Sequence, residues 1–462
     1  MSRSPRQWWR IGMPVLAVVV AVGGLASMPK LPTVLPLRAH GVTVDPDGSP
    51  VAVLVDNKRR VEVDGTLTTI PIDNDESYVP GTSVLESADL DDPAVQAMVD
   101  EQRAWLAAGK LPGAGGQFAE MSERALLDLR VLTADTGAVM ASPVTAWRHV
   151  WPRDASFVVA AYAVTGHPDE AEDVLGFLAR VAPDNGRWEA RYLSDGSGRA
   201  PDQRHRQFDG AGWVPWAVWT FAQSTTDPQR VADVIEMMRP AVIASADALA
   251  ASAGEDGLPA PSSDYWERKE SELALGVIAP VSLGLRAAIA LAPQLGVDPT
   301  AWSEAAERVD AAIEREFGSR GFPRYAPDGG HDAAVSFLAP PFAAPSDEVA
   351  DAVTETERVL RVPSGGHRPG ENWLKDVDVA WTPETAMLAL AFAGLGADDE
   401  AERLLTFLDE HRTDLGALPE KVDSEPKPAS VAPLAWTSAL VLLVLTELDE
   451  GLPVVPGTAA AE

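Results

Sequence analysis

Apolar residues along most of this chain recur at three- and four-residue intervals, the spacing that lines one face of an α-helix. Between about Asp91 and about Leu448, such stripes fall near 118–132, 210–224, 229–252, 274–292, 300–316, 346–360, 383–394, 398–411 and 433–448. His167-Pro168-Asp169-Glu170 opens a further helix, with proline in the first turn and acids at the positive end of the dipole. Ala171, Val174, Leu175 and Leu178 then supply its stripe at i, i+3, i+4 and i+7. Roughly a dozen helices are predicted in this way, with almost no strand signal between them. The exception precedes them. The β-branched runs 42–44, 51–55 and 61–63 are separated by Asp45-Pro46-Asp47-Gly48-Ser49 and by Asn57-Lys58-Arg59-Arg60. That pattern predicts a hairpin or small meander packed against the helices.

The helical region also resembles itself. Residues 151–178 align without gaps on 381–408, matching Gly166 with Gly396, Asp169-Glu170-Ala171-Glu172 with Asp399-Glu400-Ala401-Glu402, and Phe177-Leu178 with Phe407-Leu408. A looser echo spans 287–312, where Leu295-Gly296-Val297-Asp298 joins two stripes. The unit is helix, glycine-containing turn, acid-capped helix, and repeated units of this kind bury their apolar faces on one another. An open solenoid and a closed ring both satisfy the pattern.

At the N-terminus, Arg3, Arg6 and Arg10 precede an apolar run over 11–28, broken only by Pro14, glycines and one serine. A positive flank before such a run is an export pattern, and the run is marginal against the ~20 residues of a spanning helix. Gly24-Leu25-Ala26 offers a small-x-small cleavage site. Residues 1–28 are therefore expected to be a signal peptide or membrane anchor, leaving the body extracytoplasmic, either secreted or attached to a membrane. Next are expected a linker and small β region over 29–85, a helical domain over 86–450 and a flexible tail over 451–462.

A formal charge of -32 excludes nucleic acid as a partner, because phosphate binding needs a basic surface. The absence of cysteine rules out disulfides, thiolate zinc sites and a cysteine nucleophile. The seven histidines show no paired metal-ligand spacing, and neither a G-x-S-x-G elbow nor a phosphate-cradling G-x-x-x-x-G-K-[ST] loop occurs. No metal and no cofactor are expected.

Four distant segments each set an acid beside tryptophan. They are Trp151-Pro152-Arg153-Asp154, Gln207-Phe208-Asp209 with Gly212-Trp213, Asp264-Tyr265-Trp266-Glu267, and Pro419-Glu420 with Leu434-Ala435-Trp436. Cleaving a glycosidic bond takes one carboxyl as proton donor and another as base or nucleophile, with rings stacked on the sugar's apolar face. Flanking by Tyr265 and Trp266 would desolvate Glu267 and favour its protonated form, while the nearby Arg268 and Lys269 would oppose this. Glu420 sits in a loop at a helix end, where a carboxylate can be aimed into the mouth of a ring. Trp216 and Trp219 are expected in the core, and Trp213 is the better ligand candidate of that series.

In these motifs the chain resembles glycoside hydrolase family 15, the glucoamylase-like enzymes, over roughly residues 115–448. Trp151-Pro152-Arg153-Asp154 is similar to the family's W-x-R-D, Asp264-Tyr265-Trp266-Glu267 to the D-x-W-E bearing the general acid, and Pro419-Glu420 to the segment bearing the base. Asp332 to Phe342 is similar to a D-A-x-x-x-x-L-x-P-x-F stretch. The resemblance implies an all-α (α/α)6 barrel and inverting, exo-acting release of glucose from an α-linked oligosaccharide or small glucoside. It implies Glu267 as acid and Glu420 as base, with Trp151, Arg153, Asp154, Asp209, Trp213, Trp266 and Trp436 around the sugar, in a monomer. Arg368 joins them through a looser match over His367-Arg368-Pro369-Gly370-Glu371-Asn372-Trp373. The chain departs from the pattern at Lys421, where glutamine is usual, and at Trp147, where tyrosine is usual. Two other expectations compete. One is a non-catalytic carbohydrate-binding or regulatory barrel. The other is a repeat scaffold for a protein partner, which requires an open arc.

Overall fold

The computed structural model describes residues 34–45, 50–55, 58–63, 66–71 and 76–457; the expected signal peptide or anchor lies outside them. Four strands come first: β1 (Ala39–Val44), β2 (Pro50–Leu54), β3 (Lys58–Val63) and β4 (Thr66–Pro71). They pair antiparallel in the order β1-β2-β3-β4, a meander with one strand more than the three β-branched runs. Ala39 and Ala52 pack with Val144, Val431 and Leu434, so the sheet leans on the helical body as expected.

Twelve α-helices follow among the described residues: α1 (Pro93–Ala108), α2 (Ala119–Leu132), α3 (Pro152–Val164), α4 (Pro168–Val181), α5 (Gly210–Ser224), α6 (Pro228–Ser252), α7 (Leu275–Leu295), α8 (Thr300–Glu316), α9 (Asp347–Leu360), α10 (Thr382–Gly394), α11 (Asp398–Glu410) and α12 (Ala435–Glu450). An inner circle runs α3, α5, α7, the short 3-10 segment Ala333–Leu338, α10 and α12, and α12 packs back on α3. The ring is closed. Outside it lie α2, α4, α6, α8, α9 and α11, completing six hairpins of an (α/α)6 barrel. An open solenoid is thereby excluded.

The sequence explains which helix goes where. α3, α5, α10 and α12 are apolar nearly all round and buried along almost their whole length, as a helix enclosed on every side must be. α4, α8, α9 and α11 bury a single face. α7 is long and apolar enough to cross a membrane, but it is buried as an inner helix. α5 and α7 cross where a Cβ on Gly284 would meet Gly212 Cα at 2.5 Å, so only glycine permits that approach.

Aromatic rings fill the middle of the barrel. Phe157 of α3 reaches across to Phe342 (centroids 5.9 Å apart), while Trp213 packs against Phe157 at 4.9 Å and Phe337 at 4.8 Å. The centre is therefore a packed core, and any ligand site must lie at one end. The segment expected as a flexible tail is tied down as far as Val455, which is buried and donates its N–H to the Pro341 carbonyl.

Candidate active site

Each inner element is preceded by an antiparallel outer helix, so the inner N-termini gather at one end of the barrel. There a cavity of about 330 Å³ opens among the first turns of α3, α10 and α12 and the loops before them. Six tryptophans line it: Trp147, Trp151, Trp266, Trp373, Trp381 and Trp436. So do the carboxylic acids Asp154, Glu267, Glu384 and Glu420 and the cations Arg153, Arg191, Arg204 and Lys421. Glu267 and Glu420, far apart in sequence, thus share one hollow.

Glu267 ends a tight turn whose N–H donates to the Asp264 carbonyl at 2.9 Å. Its φ of 55° lies in the left-handed region, which costs a non-glycine residue on the order of 1–3 kcal/mol and is retained mainly where function requires it. Trp151 Nε1 donates to one carboxylate oxygen at 2.5 Å, and Arg204 pairs with the other. The expected desolvation by Tyr265 and Trp266 does not occur. The turn directs Tyr265 O–H to Asp332 and sets Trp266 beneath the Arg324 and Arg268 guanidiniums. Glu267 keeps a quarter of its side chain exposed. The cation that reaches it is Arg204, not Arg268 or Lys269; Arg268 is held by Glu270. Contacts close a circuit at this rim: Arg191 stacks 4.9 Å above Trp151, and Asp202 pairs with both Arg191 and Arg204.

Beneath the turn, Arg324 is fully buried and bridges three acids. It lies 3.0 Å from Asp264, 3.1 Å from Asp332 and 2.9 Å from Glu270. Asp264 also accepts the Trp266 N–H at 3.0 Å, so the network fixes the backbone that presents Glu267.

Glu420 is held from both sides. Its N–H donates to the Val431 carbonyl at 2.8 Å, and its carbonyl accepts the Thr382 N–H at 3.0 Å. Ser430 O–H donates to the carboxylate, and Lys421 Nζ stands 3.9 Å away while lying 3.8 Å above the Trp381 ring. The chain just before β1 supports this loop: Ser430 N–H donates to the Leu35 carbonyl at 2.9 Å, and Leu35 itself lines the cavity.

Arg153 is pinned by Gln207 at 2.9 Å and Asp209 at 3.0 Å, with its guanidinium 4.6 Å from the Trp436 ring centre. Burial pushes the Asp154 carboxyl up to about 6, with Arg153 opposing and Glu267 adding to the rise. Trp151, Arg153, Asp154, Trp266 and Trp436 therefore join the two glutamates at the cavity. Three expected ligands do not line it. Asp209 is buried behind Arg153 and serves to hold it. Trp213 belongs to the aromatic core, because its position on α5 faces the barrel centre. The loop carrying Arg368 instead presents Pro369 and Trp373.

Sequence reasoning passed over Glu384, Trp373, Trp381, Arg191 and Arg204. For Glu384 and Trp381 a signal existed: the internal alignment sets Trp381 on Trp151 and Glu384 on Asp154.

No protein-family model matches the chain. Among solved structures, it is similar to a glycosidase in complex with glucose, at 21% identity and a TM-score of 0.61 over 71% of this chain and 96% of that one. A bacterial glucoamylase complexed with acarbose matches at 16% identity and a TM-score of 0.62, over 79% of this chain and 60% of that one. The fold is that of the glucoamylases. The glucoamylase of Saccharomycopsis fibuligera shares this fold with a TM-score of 0.54, at 13% identity over 77% of this chain and 96% of that one. In sequence, the chain is 22% identical over 356 residues to an uncharacterized glycosyl hydrolase of Methanocaldococcus jannaschii. The match covers 71% of this chain and spans 56% of that relative's length.

Proposed function

We propose that this protein is an inverting, exo-acting glycoside hydrolase of the family 15 type, releasing glucose from α-linked oligosaccharides or small glucosides. The observation that carries the reading is the meeting of Glu267 and Glu420 in one tryptophan-lined cavity at the N-terminal end of a closed barrel. Glu267 gives its proton to the glycosidic oxygen as that oxygen leaves the anomeric carbon. Glu420 takes a proton from water, whose oxygen attacks the same carbon from the opposite face. This requires the two carboxyls to stand ~6.5–9.5 Å apart around the water. Arg153 and Asp154 hold sugar hydroxyls, and the tryptophans pack on its C–H face. Arg204 holds one Glu267 oxygen and must give way before that oxygen can meet the glycosidic oxygen. Lys421 and Ser430 hold the Glu420 carboxylate in place beside the cavity. The export pattern of 1–28, read from sequence, supports action outside the cytoplasm.

The test is incubation with maltose, isomaltose, trehalose and malto-oligosaccharides, with the released anomer followed by NMR. β-Glucose is expected as the first product. Release of α-glucose removes the inverting mechanism. Glu267→Gln and Glu420→Gln should each cut turnover by at least about 100-fold with an unchanged far-UV circular dichroism spectrum; full activity in either refutes its role. A second reading, a sugar-binding barrel without turnover, is favoured by one observation: both carboxylates already carry cationic partners. Oligosaccharide binding with no product at any pH would establish it.

A further inference from the structure

Two helix N-termini face one another in this cavity, and they are the two halves of the internal repeat. On α3, Trp151 precedes a first turn that carries Pro152 and Asp154; on α10, Trp381 and Glu384 stand in the places of Trp151 and Asp154, with Pro383 one residue further on than Pro152. Each pair attends one of the two glutamates. Trp151 donates to Glu267, and Asp154 lies within its electrostatic reach. Trp381 pairs in a strand with Lys421, next to Glu420, and Glu384 feels Glu420 directly. Asp154 is already assigned to the sugar by the proposed mechanism. Glu384 has been given no task.

Its surroundings are unusual for a carboxyl. Glu384 is 3% exposed, lines the cavity, and its Oε2 has no hydrogen-bond partner among the described residues. A buried polar atom left so is costly unless a ligand or water completes it. The groups facing it are Glu420, Asp332, Arg153 and Tyr265. Lys421 lies on the same wall but is engaged with Trp381 and Glu420. Burial pushes the Glu384 carboxyl up to about 8, its own backbone N–H opposes this, Glu420 and Asp332 add to it, and Arg153 opposes. A carboxyl that keeps its proton at neutral pH is a hydrogen-bond donor.

We propose that Glu384 is a substrate-contacting residue, donating from its carboxyl to a sugar hydroxyl on the Glu420 side of the cavity as Asp154 accepts on the Glu267 side. This rests on the hydrolase reading for its substrate, although not for its geometry. The alternative, a purely structural acid in the first turn of α10, would affect stability and leave affinity alone.

The experiment uses two readouts. KM and kcat are measured on the best glucoside of the panel above for the wild type, Glu384→Ala and Glu384→Gln between pH 6 and 9.5. Maltose binding is measured by calorimetry in the Glu267→Gln chain with and without Glu384→Ala. Loss of a buried hydrogen bond should raise KM and the maltose Kd about tenfold or more in Glu384→Ala. Glu384→Gln, a neutral donor of nearly the same shape, should recover most of that affinity at pH 7. The sign with pH follows from the raised value. The donor proton is present below about 8 and lost above it, so wild-type KM should climb through that range while Glu384→Gln stays flat. Unchanged KM and Kd in Glu384→Ala, with only a lowered melting temperature, overturn the proposal and leave the hydrolase reading intact. Sugar binding weakened by Glu384→Ala in a chain that hydrolyses nothing overturns the hydrolase reading and keeps this one. A wild type that neither binds nor cleaves any glucoside sinks both.

Discussion

Arg324 is the residue whose loss should be felt most widely, because one fully buried guanidinium serves Asp264, Glu270 and Asp332 together. Replacement by methionine keeps much of the volume and removes the charge. At an effective dielectric of about 20, each pair at ~4 Å contributes about 4 kcal/mol of attraction. Those terms are opposed by the desolvation of the arginine itself, so they do not simply add. The measured cost of removing one partner from a buried ion pair is about 3–5 kcal/mol, and that is the expected loss at pH 7. The acids can lower the cost by taking protons. Burial already raises the Asp332 carboxyl, with Arg324 the main influence against it. In the variant that opposition is gone, so Asp332 protonates more readily and the penalty shrinks as pH falls from 7 towards 5. Urea denaturation at both pH values reads this directly, with Arg324→Lys as a milder companion that keeps the charge but cannot bridge three acids. The Asp264 to Glu267 turn loses its anchor, so kcat/KM of the folded variants should fall as well. A loss below about 1 kcal/mol at pH 7, or one that does not change with pH, would refute the account.

Two further outcomes follow from close contacts. Gly284→Ala places a methyl 2.5 Å from Gly212 Cα, so α5 and α7 must separate and stability should drop by about 1–3 kcal/mol; a thermal melt equal to wild type contradicts that crossing. Arg204→Gln removes the cation on Glu267, and kcat/KM for a neutral disaccharide should rise because the pair no longer has to break before proton transfer. A fall in kcat/KM would instead make Arg204 a substrate ligand.

Outer helices such as α4 and α11 were legible because each buries a single face and so repeats its apolar residues at helical spacing. Inner helices such as α5 are apolar nearly all round, so the helical spacing near 210–224 marks a helix without marking which face turns to the core. The inner 3-10 segment is too short to show any period, and only the motif from Asp332 to Phe342 pointed to it. At the site, motifs located Glu267, Glu420, Arg153 and Asp154 but could not say which way a neighbour points. Trp213 stands in the first turn of α5 as Asp154 stands in the first turn of α3. A rotation of about 100° per residue separates the rim from the barrel centre. Arg204 reaches Glu267 from a loop 63 residues earlier, a contact fixed by how the loop drapes over the rim. Glu384 is a different case, since the repeat had already aligned it with Asp154.

The charges of the cavity bear on what it admits. The chain as a whole carries -32, and such a field disfavours the approach of anions while leaving a neutral sugar indifferent. Four cations line the cavity, but each is engaged. Arg153 is held by Asp209, Arg191 by Asp202, Arg204 by Glu267 and Asp202, and Lys421 by the Trp381 face and Glu420. An anion entering would have to compete with carboxylates already in place, against the far field of the molecule. A polyol needs only donors and acceptors at fixed positions, and Arg153, Asp154 and Glu384 offer both kinds. The same engagement explains why neither glutamate stands alone: each is oriented by a partner that a substrate can displace, so the site is preorganised without being blocked by its own core.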